Sequence, residues 1–153
     1  MSANQELFEF KFYEWEKKFR DNPYLRQPFG DEWEEYTWGK VGDMARRLAT
    51  GLKSLGLRDG AHIGIYSKNC REWIISDLAI VMAGYVSVPF FPSLNGKELS
   101  YIMEYGDVDA LFLGKIETWE DIKNDLPDDM PMITFPHYKA VSYTHLTLPT
   151  TSS

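Results

Sequence analysis

The chain has 153 residues, one domain's worth, and its 44% hydrophobic and 15% aromatic content can build a core and excludes a disordered acidic tail. Sixteen Lys and Arg against 23 Asp and Glu give a net charge of −7, spread as −4 over residues 1–36, +1 over 37–116 and −5 over 117–130. No segment is a basic stripe, so no nucleic acid partner is expected. The single cysteine, Cys70, leaves no internal disulfide and no thiolate cluster for zinc, a usage suited to a reducing cytosol. The N-terminus carries charges where a signal peptide needs an apolar run, so the expected location is cytoplasmic.

In chain order, Phe8, Phe12, Trp15 and Phe19 follow steps of four, three and four and predict an amphipathic helix that ends near Asp21-Asn22-Pro23. Two β-compatible runs, Tyr24 to Phe29 and Trp33 to Thr37, flank the turn dipeptide Gly30-Asp31 and predict a hairpin. Thr37 is placed to cap a second helix whose apolar stripe is Trp38, Val41, Ala45, Leu48, Leu52 and Leu55, with Gly56 as its stop.

Beyond Gly56 the pattern alternates. Strands are predicted at His62 to Ser67, Tyr85 to Phe91, Ala110 to Leu113 and Met132 to Phe135, and helices at Arg71 to Ala83, Gly96 to Tyr105 and, capped by Thr118, Trp119 to Leu126. Strands separated by helices imply crossover connections, hence an α/β fold with a mostly parallel sheet. Residues 73–91 are apolar enough to suggest a membrane span, but Asp77 lies inside the run, Gly84 interrupts it and Pro89 removes a donor near its end. A buried helix followed by a buried strand is the expected reading. The run VSYTHLTLPTTSS from Val141 has no helical period and no charge beyond any on His145. It resembles translated sequencing-adapter read-through, and residues 140–153 are expected to be a non-native tail. The organisation read from the sequence is an N-terminal helix and hairpin over 1–36, a partial α/β domain over 37–139 and that tail.

The search for chemistry is mostly negative. No phosphate-loop motif, dinucleotide fingerprint, serine-nucleophile elbow, H-E-x-x-H or C-x-x-C is present. His62, His137 and His145 have no carboxylate or cysteine nearby at ligand spacing and read as surface or strand-end residues. The acidic run of Glu117, Glu120, Asp121, Asp125, Asp128 and Asp129 has no glycine bend and reads as a solvated face rather than a cation site. Thr144, Thr147, Thr150 and Thr151 lack the glycine and lysine that a phosphate cradle needs. No catalytic, cofactor-binding or metal residue is assigned.

Residues 36 to about 113 do carry a pattern. Tyr36-Thr37-Trp38 opens a helix running through Ala45-Arg46-Arg47-Leu48-Ala49 to Gly51-Leu52-Lys53-Ser54-Leu55-Gly56-Leu57. The strand Ile63-Gly64-Ile65-Tyr66-Ser67 leads into Asn69-Cys70-Arg71-Glu72-Trp73 and Asp77-Leu78-Ala79, and Ala83-Gly84 runs on to Pro89-Phe90-Phe91-Pro92. In this order the segments resemble the first core motifs of the adenylate-forming, AMP-binding enzymes, and most of all the long-chain fatty acyl-CoA synthetases. Phe91 and Ser93 stand where that branch often has tyrosine and threonine.

The resemblance implies ATP, Mg²⁺ and coenzyme A as the cofactors of a full-length ligase. That ligase activates a fatty acid carboxylate as an acyl-adenylate and passes it to the coenzyme A thiol. It also leaves peripheral membrane contact open. The family's Ser/Thr/Gly-rich loop ending in lysine, its later acidic and arginine motifs and its C-terminal lysine have no match here, so these 153 residues are expected to be inactive alone and to bind none of the cofactors. Glu72, Trp73 and Asp77 are expected in capping or core-rim roles, and Gly84 and Pro89 as backbone turns. The competing reading is a stand-alone α/β binding or scaffold module, which fold alone does not exclude. A flavodoxin-like metabolite-binding domain has no phosphate-binding turn to support it.

Overall fold

The computed structural model describes residues 3–136 and the pair 146–147. Helix α1 (Ala3–Phe19) leads into the antiparallel hairpin of β1 (Pro23–Phe29) and β2 (Glu32–Thr37), closed by the two-residue turn Gly30-Asp31. There follow α2 (Trp38–Lys53), β3 (His62–Tyr66), α3 (Arg71–Met82), β4 (Val86–Phe90), α4 (Gly96–Tyr105), β5 (Val108–Leu113), α5 (Trp119–Ile122) with a 3-10 turn over Lys123–Asp125, β6 (Met132–Thr134) and β7 (Leu146–Thr147). The strands lie in the order β4-β3-β5-β6-β7 and every pairing is parallel. The α/β reading and its mostly parallel sheet therefore hold, and residues 73–91 are α3 followed by β4. Among the described residues no helix is long and apolar enough to cross a membrane. The two-residue β7 belongs to the segment expected to be non-native; the rest of that segment, with His145, and also His137, lie outside the described residues.

Successive strand residues divide between two apolar layers. Ile63, Ile65, Ala110, Phe112 and Ile133 pack with Val41, Ala45, Leu48 and Leu52 of α2 and Ile75, Leu78 and Ala79 of α3. Tyr66, Leu111, Leu113 and Met132 pack with Leu99 and Met103 of α4 and with Ile122 and Leu126. Coverage of both faces is why the strands of the sheet read as near-continuous apolar runs, while solvent-facing β2 (EWEEYT) does not.

Helix α2 forms as its sequence predicts: the Thr37 hydroxyl accepts the Lys40 N–H at 3.1 Å, satisfying one of the orphan donors of the first turn. Helix α1 differs from expectation. Phe12 is buried, but Phe8 and Trp15 are about half exposed. The helix docks on α2 through Glu16, only 6% exposed, whose carboxylate takes both Arg46 Nη1 and Nη2 at 2.9 and 2.6 Å. Gly42 makes this approach feasible, since a Cβ there would lie 2.1 Å from Glu16 Oε1. Glu16 thus joins Phe12 on the buried face, while Trp15 stays half exposed with its ring edge-on to Trp38 at 5.9 Å.

The last helical segment also departs from expectation. Thr118 makes no side-chain cap and the α-helix spans only Trp119–Ile122 before tightening. The Thr118 hydroxyl lies instead 3.5 Å from the Tyr66 hydroxyl.

Candidate functional site

In open parallel sheets the strands' carboxyl ends converge on loops that are free to carry ligand-binding groups. Here a cavity of about 500 Å³ occupies that edge. The loop after β3 supplies Ser67, Lys68 and Asn69, the first turn of α3 supplies Trp73, and the end of β4 with its following loop supplies Pro89, Phe90, Phe91 and Pro92. Phe91 is 78% exposed, an apolar ring held toward solvent at the rim. A larger hollow of about 720 Å³ lies at the opposite edge, among Arg58, Glu104, Asp107, Asp109 and Asp129. Its one cation among the described residues is engaged structurally: Arg58 holds Asp109 through Nε at 3.1 and 3.0 Å, and Asp109 also accepts the His62 N–H at 2.8 Å, which leaves the charged lining otherwise acidic. Burial works against the Asp109 charge, but Arg58 and the His62 N–H outweigh it and hold the carboxyl below its ordinary range. The carboxyl-end cavity is therefore the candidate site.

Hydrogen bonds fix its walls. Ser67 Oγ accepts the Lys115 N–H at 2.8 Å and donates to the Lys68 carbonyl at 2.7 Å, while the Lys68 N–H reaches the Lys115 carbonyl at 2.9 Å. Gly114 permits this closure: a Cβ there would sit 2.4 Å from Ser67 Oγ and from the Phe135 ring. Lys68 Nζ pairs with Glu117 at 2.8 Å, and that hydrogen bond holds the Glu117 carboxyl below its ordinary range.

Three donors of these loops, two backbone N–H groups and one ammonium, are thus engaged within the protein, by Ser67, Lys115 and Glu117. Among the described residues, no three His, Cys, Asp or Glu side chains are grouped so as to hold a metal ion.

The residues singled out from the sequence fall in different places. Trp73 and Pro89 line the cavity. Pro89 lies within β4, which pairs on one side only, with β3, so it is an edge-strand proline and not a turn. Gly84 does make a turn, at φ 81°. Glu72 is buried and belongs to the core rather than to a cap. Its Oε1 accepts from Arg71 Nε at 3.1 Å, and Oε2, like Ser76 Oγ one turn on, is buried without a hydrogen-bond partner. Asp77 is half-buried; it and, more strongly, burial push the Tyr24 phenol up. His62 begins β3, its Nδ1 2.6 Å from the Gly106 carbonyl oxygen. In the acidic run Glu120 pairs with Lys123 and Glu117 with Lys68.

Sequence reasoning passed over Tyr66, Ser67 and Lys68 as site residues. It also passed over Gln27, whose side-chain oxygen takes the Arg71 N–H at 3.1 Å and supplies the start of α3 with the hydrogen bond that its N-cap, Cys70, does not make. Only the position of residues 67–69, directly after a parallel strand, could have signalled the first group.

The parallel sheet covered on both faces matches the N-terminal domain of adenylate-forming enzymes. The crystal structure of the anthranilate CoA ligase AuaEII in complex with anthranoyl-AMP superimposes with a TM-score of 0.76 at 22% identity, over 92% of this chain and 26% of that one. A coronafacic acid ligase from Pectobacterium brasiliense gives 0.75 at 19% identity, over 91% of this chain and 27% of that one.

The chain belongs to the AMP-binding enzyme family, whose profile matches residues 12–146. Among curated relatives, the long-chain-fatty-acid–CoA ligase ACSBG2 of Rattus norvegicus is 25% identical over 80% of this chain and 18% of its own length. Long chain acyl-CoA synthetase 4 of Arabidopsis thaliana is 31% identical over 63% of this chain and 15% of its own. The chain thus spans less than a fifth of these relatives, and they come from the long-chain branch that the motifs around Glu72-Trp73 and Pro89 indicate.

Proposed function

We propose that the chain is part of an ATP-dependent fatty acid–CoA ligase, which forms an acyl-adenylate from a long-chain carboxylate and transfers the acyl group to the thiol of coenzyme A. The family match over residues 12–146 carries this reading, and the long-chain acyl-CoA synthetases among the relatives support the acyl class. ATP with Mg²⁺ would make the carboxylate an electrophile by giving it a good leaving group.

The part of these residues in that reaction is scaffolding and containment. The twofold-covered sheet sets the loops, and Trp73, Phe90, Phe91 and Pro92 form an apolar wall that excludes water from one side of a substrate. Without a match to the family's Ser/Thr/Gly-rich loop or its C-terminal lysine, the 153 residues alone bind no triphosphate and do not turn over. A cytoplasmic location, with peripheral contact to a membrane where a long acyl chain is collected, fits the same reading. The tail read from the sequence as residues 140–153 overlaps the family match at 140–146, so only residues 147–153 are proposed to be foreign to the ligase.

Sequencing the genomic locus across codon 140 tests the parentage. A frame that continues into a Ser/Thr/Gly-rich loop ending in lysine is the expected result; a stop after codon 153 in orthologous copies of equal size would overturn it in favour of a stand-alone module. ATP–pyrophosphate exchange with palmitate on the 153-residue chain is expected at background, and sustained turnover would overturn the inactivity.

A further inference from the structure

Tyr66 closes β3 with its side chain completely buried, in the apolar layer of Phe90, Leu99, Met103 and Leu113. A phenylalanine would fill that layer equally well, so the hydroxyl calls for its own explanation. It stands 2.8 Å from the Leu94 carbonyl oxygen and 3.1 Å from the Pro92 carbonyl oxygen. The Thr118 hydroxyl, 3.5 Å away, is on the third side.

A phenol has one proton and its oxygen can also accept. The proton is shared between two carbonyls of the loop after β4, and the oxygen faces a hydroxyl from the loop after β5. The strand at the centre of the edge thereby ties together the loops of its neighbours on both sides. Phe91 and Pro92 of the tied loop are the outer wall of the candidate cavity. The far end of the loop is fixed separately by the Asn95–Glu98 capping box at the start of α4, with both hydrogen bonds at 3.0 Å.

We infer that Tyr66 is a positioning residue of the cavity: its hydroxyl sets the backbone of residues 91–95, and through it the width of the opening between Phe91–Pro92 and Trp73. The phenol touches no substrate in this arrangement and acts through the wall. The inference deepens the proposed ligase reading by naming what holds the acyl-side wall, and it rests on that reading for its functional consequence alone.

The test is Tyr66→Phe in the 153-residue chain, followed by amide hydrogen exchange residue by residue. Loss of one buried hydrogen bond is expected to speed exchange at Leu94, Glu98 and Leu99 by roughly five- to tenfold beyond the uniform change that any loss of global stability brings at Ile65 and Phe112. A ring that merely fills space predicts no change, and a general loss of stability predicts the same acceleration at every amide; either result overturns the inference. Should the variant not fold, the unaltered protein decides. Its Tyr66 phenolic proton is expected as a slowly exchanging NMR resonance, and exchange too fast to observe overturns the inference. A gene that stops without a phosphate loop would sink the ligase reading and leave the exchange result intact, so the two fail separately.

Discussion

The sheet and the N-terminal helix with its hairpin share one apolar core, but only the second adds buried charge to it. Strands β3 and β5 bury Ile63, Ile65, Leu111 and Phe112 completely, and their cohesion is apolar area and close packing. Helix α1 and the hairpin add buried charge to an apolar contact in which Phe12 and Tyr36 join the core and Tyr24 stacks on Trp38 at 3.9 Å. Glu16 takes Arg46, and Arg71, itself 3% exposed, lies between the Phe29 and Tyr36 rings at 4.9 and 4.1 Å while binding Glu34 at 2.7 Å and Glu72 at 3.1 Å. Apolar contacts tolerate small shifts, whereas a buried charge requires its one partner in place. The sheet is therefore held to its helices by apolar packing, and the N-terminal unit by apolar packing together with a few buried charged contacts.

The largest effect should come from the body. Phe112→Ala leaves a cavity between β5 and the helices of the α2–α3 layer, and about 4 kcal/mol of stability should be lost in chemical denaturation. Arg71→Met tests the other region. It strands Glu72, whose second oxygen already has no partner, and should cost about 3 kcal/mol. The two regions then part company in their rescue. Adding Glu72→Leu to Arg71→Met removes the orphaned charge and should recover most of the loss, because an apolar pair replaces an ion pair at little net cost. No second apolar truncation should rescue Phe112→Ala. If the double variant is as unstable as Arg71→Met alone, the loss comes from the Arg71 contacts to Glu34, Phe29 and Tyr36 of the hairpin and not from a stranded Glu72.

A smaller effect separates two threonines that look alike in sequence. Thr37 accepts the Lys40 N–H, so Thr37→Ala should cost about 1 kcal/mol. Thr118 makes no cap, so Thr118→Ala should leave the helical circular dichroism unchanged. Equal losses at both positions would remove the distinction.

The same division governs what could be read in advance. The sheet was legible because burial on both faces leaves an apolar run in each strand, as in HIGIY and VDALFL, and because the helices between them keep their period. The hairpin was legible from Gly30-Asp31. The face of α1 was not, because Glu16 counts as polar in any hydrophobic pattern and its partner, Arg46, lies thirty residues away. The cap at Thr118 failed for a related reason: a threonine before a helical run has the right chemistry, but nothing local reveals that its hydroxyl faces Tyr66 instead. At the candidate site Trp73 and Pro89 were singled out for structural roles, and the cavity that they share with Lys68 and Phe91 exists only once β3 and β4 lie side by side. Family motifs carried the functional reading; the geometry supplies the cavity and its wall.

The smallest expected effect lies at the sheet's other edge and concerns pH. Asp109 is held below its ordinary carboxyl range, since Arg58 and the His62 N–H outweigh the opposing influence of burial. A carboxyl depressed in the folded state contributes stability above its unfolded value, about 3.9, and that contribution fades as pH falls through the lower folded value. Solvent screens the pair because Arg58 is exposed, so the loss at neutral pH should be slight. Asp109→Asn should therefore lower the urea midpoint a little at pH 7 and flatten its fall between about pH 5 and pH 2, the two proteins converging in acid. Parallel curves across that range would show that Asp109 does not couple folding to protons, and would leave the Arg58 contact as surface geometry alone. Convergence would show a polar anchor of the sheet at the edge away from the cavity.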